Sequence, residues 1–202
     1  MGELRLAMRT AYRIGTVCAA LGVLACASQA QTFVFTANLD GPSEAPPNNS
    51  PGTGFTTVSL DAILYTMRVQ VQFQDLVGTT TAAHIHAPTA VPMTGTAGVA
   101  TELPSFTGFP LGVTGGSMDM TYDMLQAGNW NPTYMNANGG QPLLAFFAFL
   151  GHMQEGRTYF NIHTSQEPGG EIRGFMVPEP GTMVALGLGA VALLRRRKKR
   201  TA

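Results

Sequence analysis

Residues 65 to 74 read YTMRVQVQFQ, with Tyr65, Met67, Val69, Val71 and Phe73 alternating against Thr66, Arg68, Gln70, Gln72 and Gln74. A period of two puts every apolar side chain on one face of an extended chain, so the stretch predicts a β-strand with one buried face. Phe33, Phe35, Ala37 and Leu39 alternate in the same way. Further strands are expected over 55–60, 82–86, 98–103, 112–120, 159–164 and 171–177. Between them lie clusters such as Gly41-Pro42, residues 46–52 (PPNNSPG) and Pro168-Gly169-Gly170, in which Pro fixes φ and Gly admits positive φ. Short strands with this punctuation predict an all-β fold, an antiparallel β-sandwich. One stretch departs from it. In Pro142–Gln154 (PLLAFFAFLGHMQ), Leu143, Phe146, Phe147 and Leu150 fall at helical spacing behind a proline suited to a first helical turn, which predicts one short helix. Residues 129–140 read as a long polar loop carrying Trp130, either exposed for binding or covering one end of the sandwich.

The ends of the chain differ from this body. Of 12 Lys and Arg, nine lie in the two terminal segments, so the zero net charge conceals a strongly uneven distribution. Arg5, Arg9 and Arg13 precede an apolar run over 14–25, followed by small residues ending at Ala30. That order is a secretory signal peptide over residues 1–30, cleaved after Ala30. The alternative, a lipoprotein-type cleavage at Cys26, stays open. At the other end Pro178-Glu179-Pro180 is followed by an apolar stretch over 183–194 and six consecutive cations from Arg195 to Arg200. The cations hold the terminus in the cytoplasm and leave the body outside, which predicts a short separate transmembrane helix.

This C-terminal order closely resembles the PEP-CTERM sorting signal of Gram-negative bacteria, over residues 177–202. The resemblance implies processing by a membrane-embedded exosortase near Pro178, Glu179 and Pro180. The protein would sit in the inner membrane first, then at the cell surface or in the extracellular matrix.

Residues 31–176 are left as one domain, large enough for a real core. From Gln31 to Pro180 there are eleven Asp and Glu against Arg68, Arg157 and Arg173, with no Lys. Such a surface repels phosphate backbones, so no nucleic acid partner is expected. Both cysteines, Cys18 and Cys26, precede the domain, which leaves it without a disulfide or a thiol nucleophile. It has no Gly-x-Ser-x-Gly elbow, no phosphate loop and no His-Glu-x-x-His helix, and Asp119 and Asp123 lack a recognisable cleft for glycoside hydrolysis.

All four histidines, His84, His86, His152 and His163, lie in the domain. On a strand, His84 and His86 share a face, and a second strand over 159–164 brings His163 alongside. Three neutral imidazoles with a further position open suit copper or zinc where no thiolate competes. The competing reading is that the rings only hydrogen-bond to backbone or carboxylates as part of the scaffold. Glu171, if buried beside His163, would orient that ring through its second nitrogen. Glu44 is a further candidate polar contact.

The residues 35–47 (FTANLDGPSEAPP), Gly52-Thr53-Gly54, AAHIH at 82–86, YFNIHT at 159–164 and PGGEIRG at 168–174 resemble the signature of the CHRD domain, first named from chordin. The resemblance implies an immunoglobulin-like sandwich or barrel, distantly similar to Cu/Zn superoxide dismutase, with no settled activity. Against the dismutase, His84, His86 and His163 resemble its copper ligands. The Asp- and His-rich zinc loop and a guiding arginine are not seen. The expectation is an exported structural or interaction module, more a non-enzyme than an enzyme, with matrix polysaccharide or protein as partner. Its rival is a copper-binding protein using His84, His86 and His163.

Overall fold

The computed structural model describes residues 32–179. The expected signal segment and the expected transmembrane helix at 183–194 lie outside them. Among the described residues no helix is long and apolar enough to cross a membrane. The body is an antiparallel sheet of eight strands: β1 (Thr32–Asp40), β2 (Thr53–Asp61), β3 (Thr66–Gln74), β4 (Thr80–His86), β5 (Gly116–Asp123), β6 (Tyr159–Thr164), β7 (Ile172–Phe175) and the two-residue β8 (Val177–Pro178). Their order is β4-β6-β7-β1-β2-β3-β5, with β8 on β1. The sheet curls until its two edges meet through a loop. Thr80, at the head of β4, donates its N–H to Val113 and accepts from the N–H of Gly112, in the segment that leads into β5.

The alternation in β3 is met in full: Met67, Val69, Val71 and Phe73 are buried and the residues between them face outward. Phe35, Ala37 and Leu39 of β1 and Val58 and Leu60 of β2 face the same interior. Tyr65 itself belongs to the turn before β3, with φ at 54°, where Asp61 Oδ1 accepts the N–H of Ile63 and of Leu64.

Two helices close one end of the core, α1 (Pro132–Ala137) and α2 (Pro142–Gln154). The expected helix is α2, with Pro142 in its first turn. Its inward face is Ala145, Phe146, Phe149, Leu150 and Met153, so Leu143 and Phe147, expected inside, stay exposed. Residues 129–140 are not a plain loop, because they hold α1, whose N-cap Asn131 accepts from the N–H of Thr133. Trp130 is 1% exposed and donates to the carbonyl of Met124 at 2.9 Å, so it seals the core. It packs edge-on against Phe149 and stacks on Tyr134.

Two strand expectations are corrected. Residues 98–103 form no strand, only single bridges from Val99 to His86 and from Thr101 to Trp130. The segment still covers the outer edge of β4, but side-chain oxygens replace part of the ladder: Thr101 Oγ1 accepts from Ile85 and Ser105 Oγ from Ala83. Pro104, which has no N–H to give, ends any regular pairing there. The strand expected over 112–120 begins four residues later, because residues 112–114 bond to Leu76 and Thr80 instead.

Candidate metal centre

Pairing register builds the site. On β4, Ala83 and Ile85 point into the core, which turns His84 and His86 to the opposite face of the sheet. Across from them on β6, Ala82 pairs with His163, His84 with Asn161 and His86 with Tyr159. One row further, Asn161 pairs with Arg173 of β7, and Arg173 with Asp40 of β1. This outer face would be solvated in a bare sheet. Here the loops carrying Glu44, Ala97, Pro104 and Pro168 reach it, and His84, His86, Asn161, Tyr159, Glu44 and Arg173 are all buried.

Each imidazole spends one nitrogen on a backbone carbonyl: His84 Nε2 on Pro104 at 2.7 Å, His86 Nδ1 on Ala97 at 2.9 Å and His163 Nδ1 on Pro168 at 2.9 Å. A carbonyl only accepts, so those nitrogens carry the proton, and each ring's tautomer is fixed. The remaining nitrogens, His84 Nδ1, His86 Nε2 and His163 Nε2, are buried lone pairs with no partner. The three residues each offer a ligand atom, and these atoms lie within 4.8 Å of one another. Ring centroids are 5.2 to 5.9 Å apart, so the rings converge.

Burial holds all three rings neutral. It lowers His84 to about 4, with His163 adding to the effect, and lowers His86 to about 4, with His163, His84 and Arg173 adding to it. His163 is lowered too, by burial. An orphaned buried acceptor costs ~1–3 kcal/mol. Three of them aimed at one place are expensive as a scaffold and fit a cation. A metal at ~2.0–2.1 Å from three nitrogens brings these within ~3.6 Å of each other, so the rings have about an ångström to close.

A second layer holds the rings in place. Tyr159 stacks on His86 at 4.7 Å and 8°, and its hydroxyl donates to Ala97 O, the same carbonyl that His86 uses. The Arg173 guanidinium sits 4.7 Å over the Tyr159 ring, with its Nε 3.7 Å from Glu44. Arg173 also donates to the carbonyls of Ser43 and Gly95. It is buried beside Glu44, and two of its five N–H groups are given to backbone carbonyls. Burial pushes the Glu44 carboxyl up to about 7, against the pull of Arg173.

Other expectations fall elsewhere. Glu171 does not touch His163, whose second nitrogen goes to Pro168. Instead Glu171 accepts from Ser50, Val77, Gly78 and Thr164. His152 on α2 bonds Tyr134 and takes no part in the cluster. Asp119 is held by Arg68 at 2.7 and 2.6 Å on the exposed face, and Asp123 caps a turn. Of the sorting residues, Pro178 pairs with Phe35, Glu179 donates its N–H to Val34, and Pro180 lies outside the described residues. The sequence reading missed Tyr159 and Asn161, although both share the period-two face of β6 with His163.

The model of the CHRD domain family matches residues 35–176, and the model of the PEP-CTERM protein-sorting motif matches residues 177–198. No curated protein and no solved structure matches.

Proposed function

The chain belongs to the CHRD domain family, and from that premise we propose that it is an exported copper-binding protein whose ligands are His84, His86 and His163. The observation that carries the reading is the set of three buried ring nitrogens without a partner, on rings whose other nitrogen is already spent. Neutral imidazole donors, with no thiolate in the domain, suit copper, and copper outranks zinc and the earlier first-row divalent ions at such sites. The protein's part is to keep the three rings deprotonated and aimed, through Pro104, Ala97 and Pro168 and through the stack of Tyr159 on His86. The finer likeness of the curled sheet to an immunoglobulin-like or dismutase-like sandwich is part of this proposal. Catalysis is no part of it.

The sorting motif supports export, with a membrane-anchored stage before processing by exosortase. We place residues 1–30 as a cleaved signal peptide and residues 177–202 as the sorting segment, and the processed domain at the surface or in the matrix of a Gram-negative cell. A structural module without metal is the rival reading, with a matrix polysaccharide or protein as its partner. Titration of the purified protein with Cu(II) and Zn(II) at neutral pH separates the two. The proposal expects one equivalent of copper bound, and binding lost in His84→Ala and in His163→Ala but kept in His152→Ala. Absence of stoichiometric binding, or binding that survives both cluster substitutions, would refute it.

A further inference from the structure

Among the described residues, six of the fourteen large apolar side chains left exposed gather at one end of the domain. Thr32 of β1 pairs with Asp61 of β2, Asp61 with Thr66 of β3, and Thr66 with Asp123 of β5, so these four residues mark a single rim of the sheet. The turn beyond Asp61 exposes Ile63 and Leu64, the latter 67% exposed. Leu125 follows Asp123 and is exposed as well. Tyr65 of the same turn packs on Phe146 and Phe147, which brings α2 to the rim with Leu143, Leu144 and Phe147 uncovered. Six large apolar side chains on one rim are too many for scattered surface residues and mark an interaction site.

The path of the chain says what covers that rim. β8 runs antiparallel to β1 through the pairs Thr36 to Val177 and Phe35 to Pro178, and then Glu179 bonds Val34. It therefore heads toward the Thr32 end, and it lies beside α2. The apolar stretch of the sorting segment starts at Met183, four residues after Glu179. Four fully extended residues reach at most ~14 Å. Glu179 bonds Val34, two residues or about 7 Å along β1 from Thr32, so that stretch starts within about 21 Å of the rim that carries Ile63, Leu64 and Phe147.

We infer that, while the chain is membrane-anchored, this rim rests in the surface of the bilayer, with Ile63, Leu64, Leu125, Leu144 and Phe147 dipping among the lipids. The inference rests on the anchored stage of the proposed function. The rim carries Asp61 and Asp123 and no Lys or Arg, so the attraction is hydrophobic and the fitting surface is zwitterionic lipid, not an anionic headgroup. The histidine cluster lies at the level of Asp40, eight residues along β1 from Thr32 and about 26 Å away. Docking by this rim leaves the metal centre facing away from the membrane.

The test uses residues 31–202, the chain left once the signal segment is removed and one without cysteine, in phosphatidylcholine vesicles, with one fluorophore-bearing cysteine introduced at a time. Leu64→Cys and Phe147→Cys report the rim, and Gln74→Cys reports the exposed far end of β3. Flotation of vesicles shows anchoring, and nitroxide-bearing lipid shows depth. The inference expects fluorescence at residues 64 and 147 to fall at least about twofold with shallow nitroxide, unchanged by high salt, while residue 74 is unaffected. A chain that floats with residues 64 and 147 no more quenched than residue 74 overturns this inference alone. So does rim self-quenching that disappears on mixing with unlabelled chain and shows no lipid effect, which would assign the rim to a second copy. A chain that does not float overturns the anchored stage and this inference with it.

Discussion

Replacing Glu171 with Gln changes one oxygen for an NH2 group at the most heavily bonded carboxylate among the described residues. Glu171 is fully buried. Its Oε1 accepts from Ser50 Oγ at 2.6 Å and from the N–H of Val77 at 2.6 Å, and its Oε2 from the N–H of Gly78 at 3.0 Å and from Thr164 Oγ1 at 2.7 Å. Each oxygen thus faces one hydroxyl, which can rotate to accept, and one backbone N–H, which cannot. Whichever way the glutamine amide turns, one backbone donor meets another donor. Orphaning that buried N–H costs ~1–3 kcal/mol, and the bonds that remain lose the strength of an ionised acceptor. The expected loss is about 3 kcal/mol, a large share of the stability of a domain this size. Urea unfolding followed by fluorescence of Trp130, the single tryptophan, measures it, with the denaturant slope unchanged. The pH dependence adds a signature. Burial raises the Glu171 carboxyl, but Ser50, Thr164, Val77 and Gly78 together bring it below its ordinary value. A depressed carboxylate contributes stability above its unfolded value and loses it as pH falls through the folded one. The gap between wild type and Glu171→Gln therefore narrows in acid. A loss under about 1 kcal/mol at pH 7, or a gap that does not change with pH, refutes the assignment of these bonds.

The metal-free protein should lose stability as pH falls from the ordinary histidine value of 6.5 toward about 4, the window over which His84 and His86 charge in the unfolded chain but not in the folded one, with the raised Glu44 carboxyl offsetting only part of that loss. Urea midpoints in a pH series check this, and midpoints that stay flat across that window in wild type, or that fall equally in His84→Ala, count against it. Two phenylalanines two residues apart on α2 should behave oppositely: Phe149→Ala, at 0% exposure against Trp130, costs ~3–5 kcal/mol, while Phe147→Ala, at 47%, costs under about 1 kcal/mol. Equal losses in the two variants would mean that the inward face of the helix is wrongly placed.

The sequence made the fold legible where burial is one-sided. The alternation over 66–74 survives intact because each apolar residue of β3 has core beneath it and each Gln has water. Helix α2 was legible from Pro142, but its inward face was not, since nearly every residue of Pro142–Gln154 is apolar and several faces compete. The bridges at 98–103 were illegible for a different reason. There the ladder is finished by Thr101 and Ser105 side chains, which no period of two records. At the candidate site the three histidines were visible as residue types on strand faces. Their anchors were not, because Pro104, Ala97 and Pro168 act through carbonyls that every residue carries. The partner of Glu171 depended on a register that only the folded sheet supplies.

The short strand β8 has a consequence for sorting. Val177 and Pro178 are rungs on β1, and the N–H of Glu179 is already given to Val34. Pro178 and Glu179 of the sorting motif are thus stitched to the seam of the finished body and do not trail from it. An enzyme that takes its substrate as an extended chain has to unpick those stitches and supply the lost bonds itself, a toll on the order of 1–3 kcal/mol. Access of such an enzyme to Pro178 and Glu179 would then follow the local looseness of one hem.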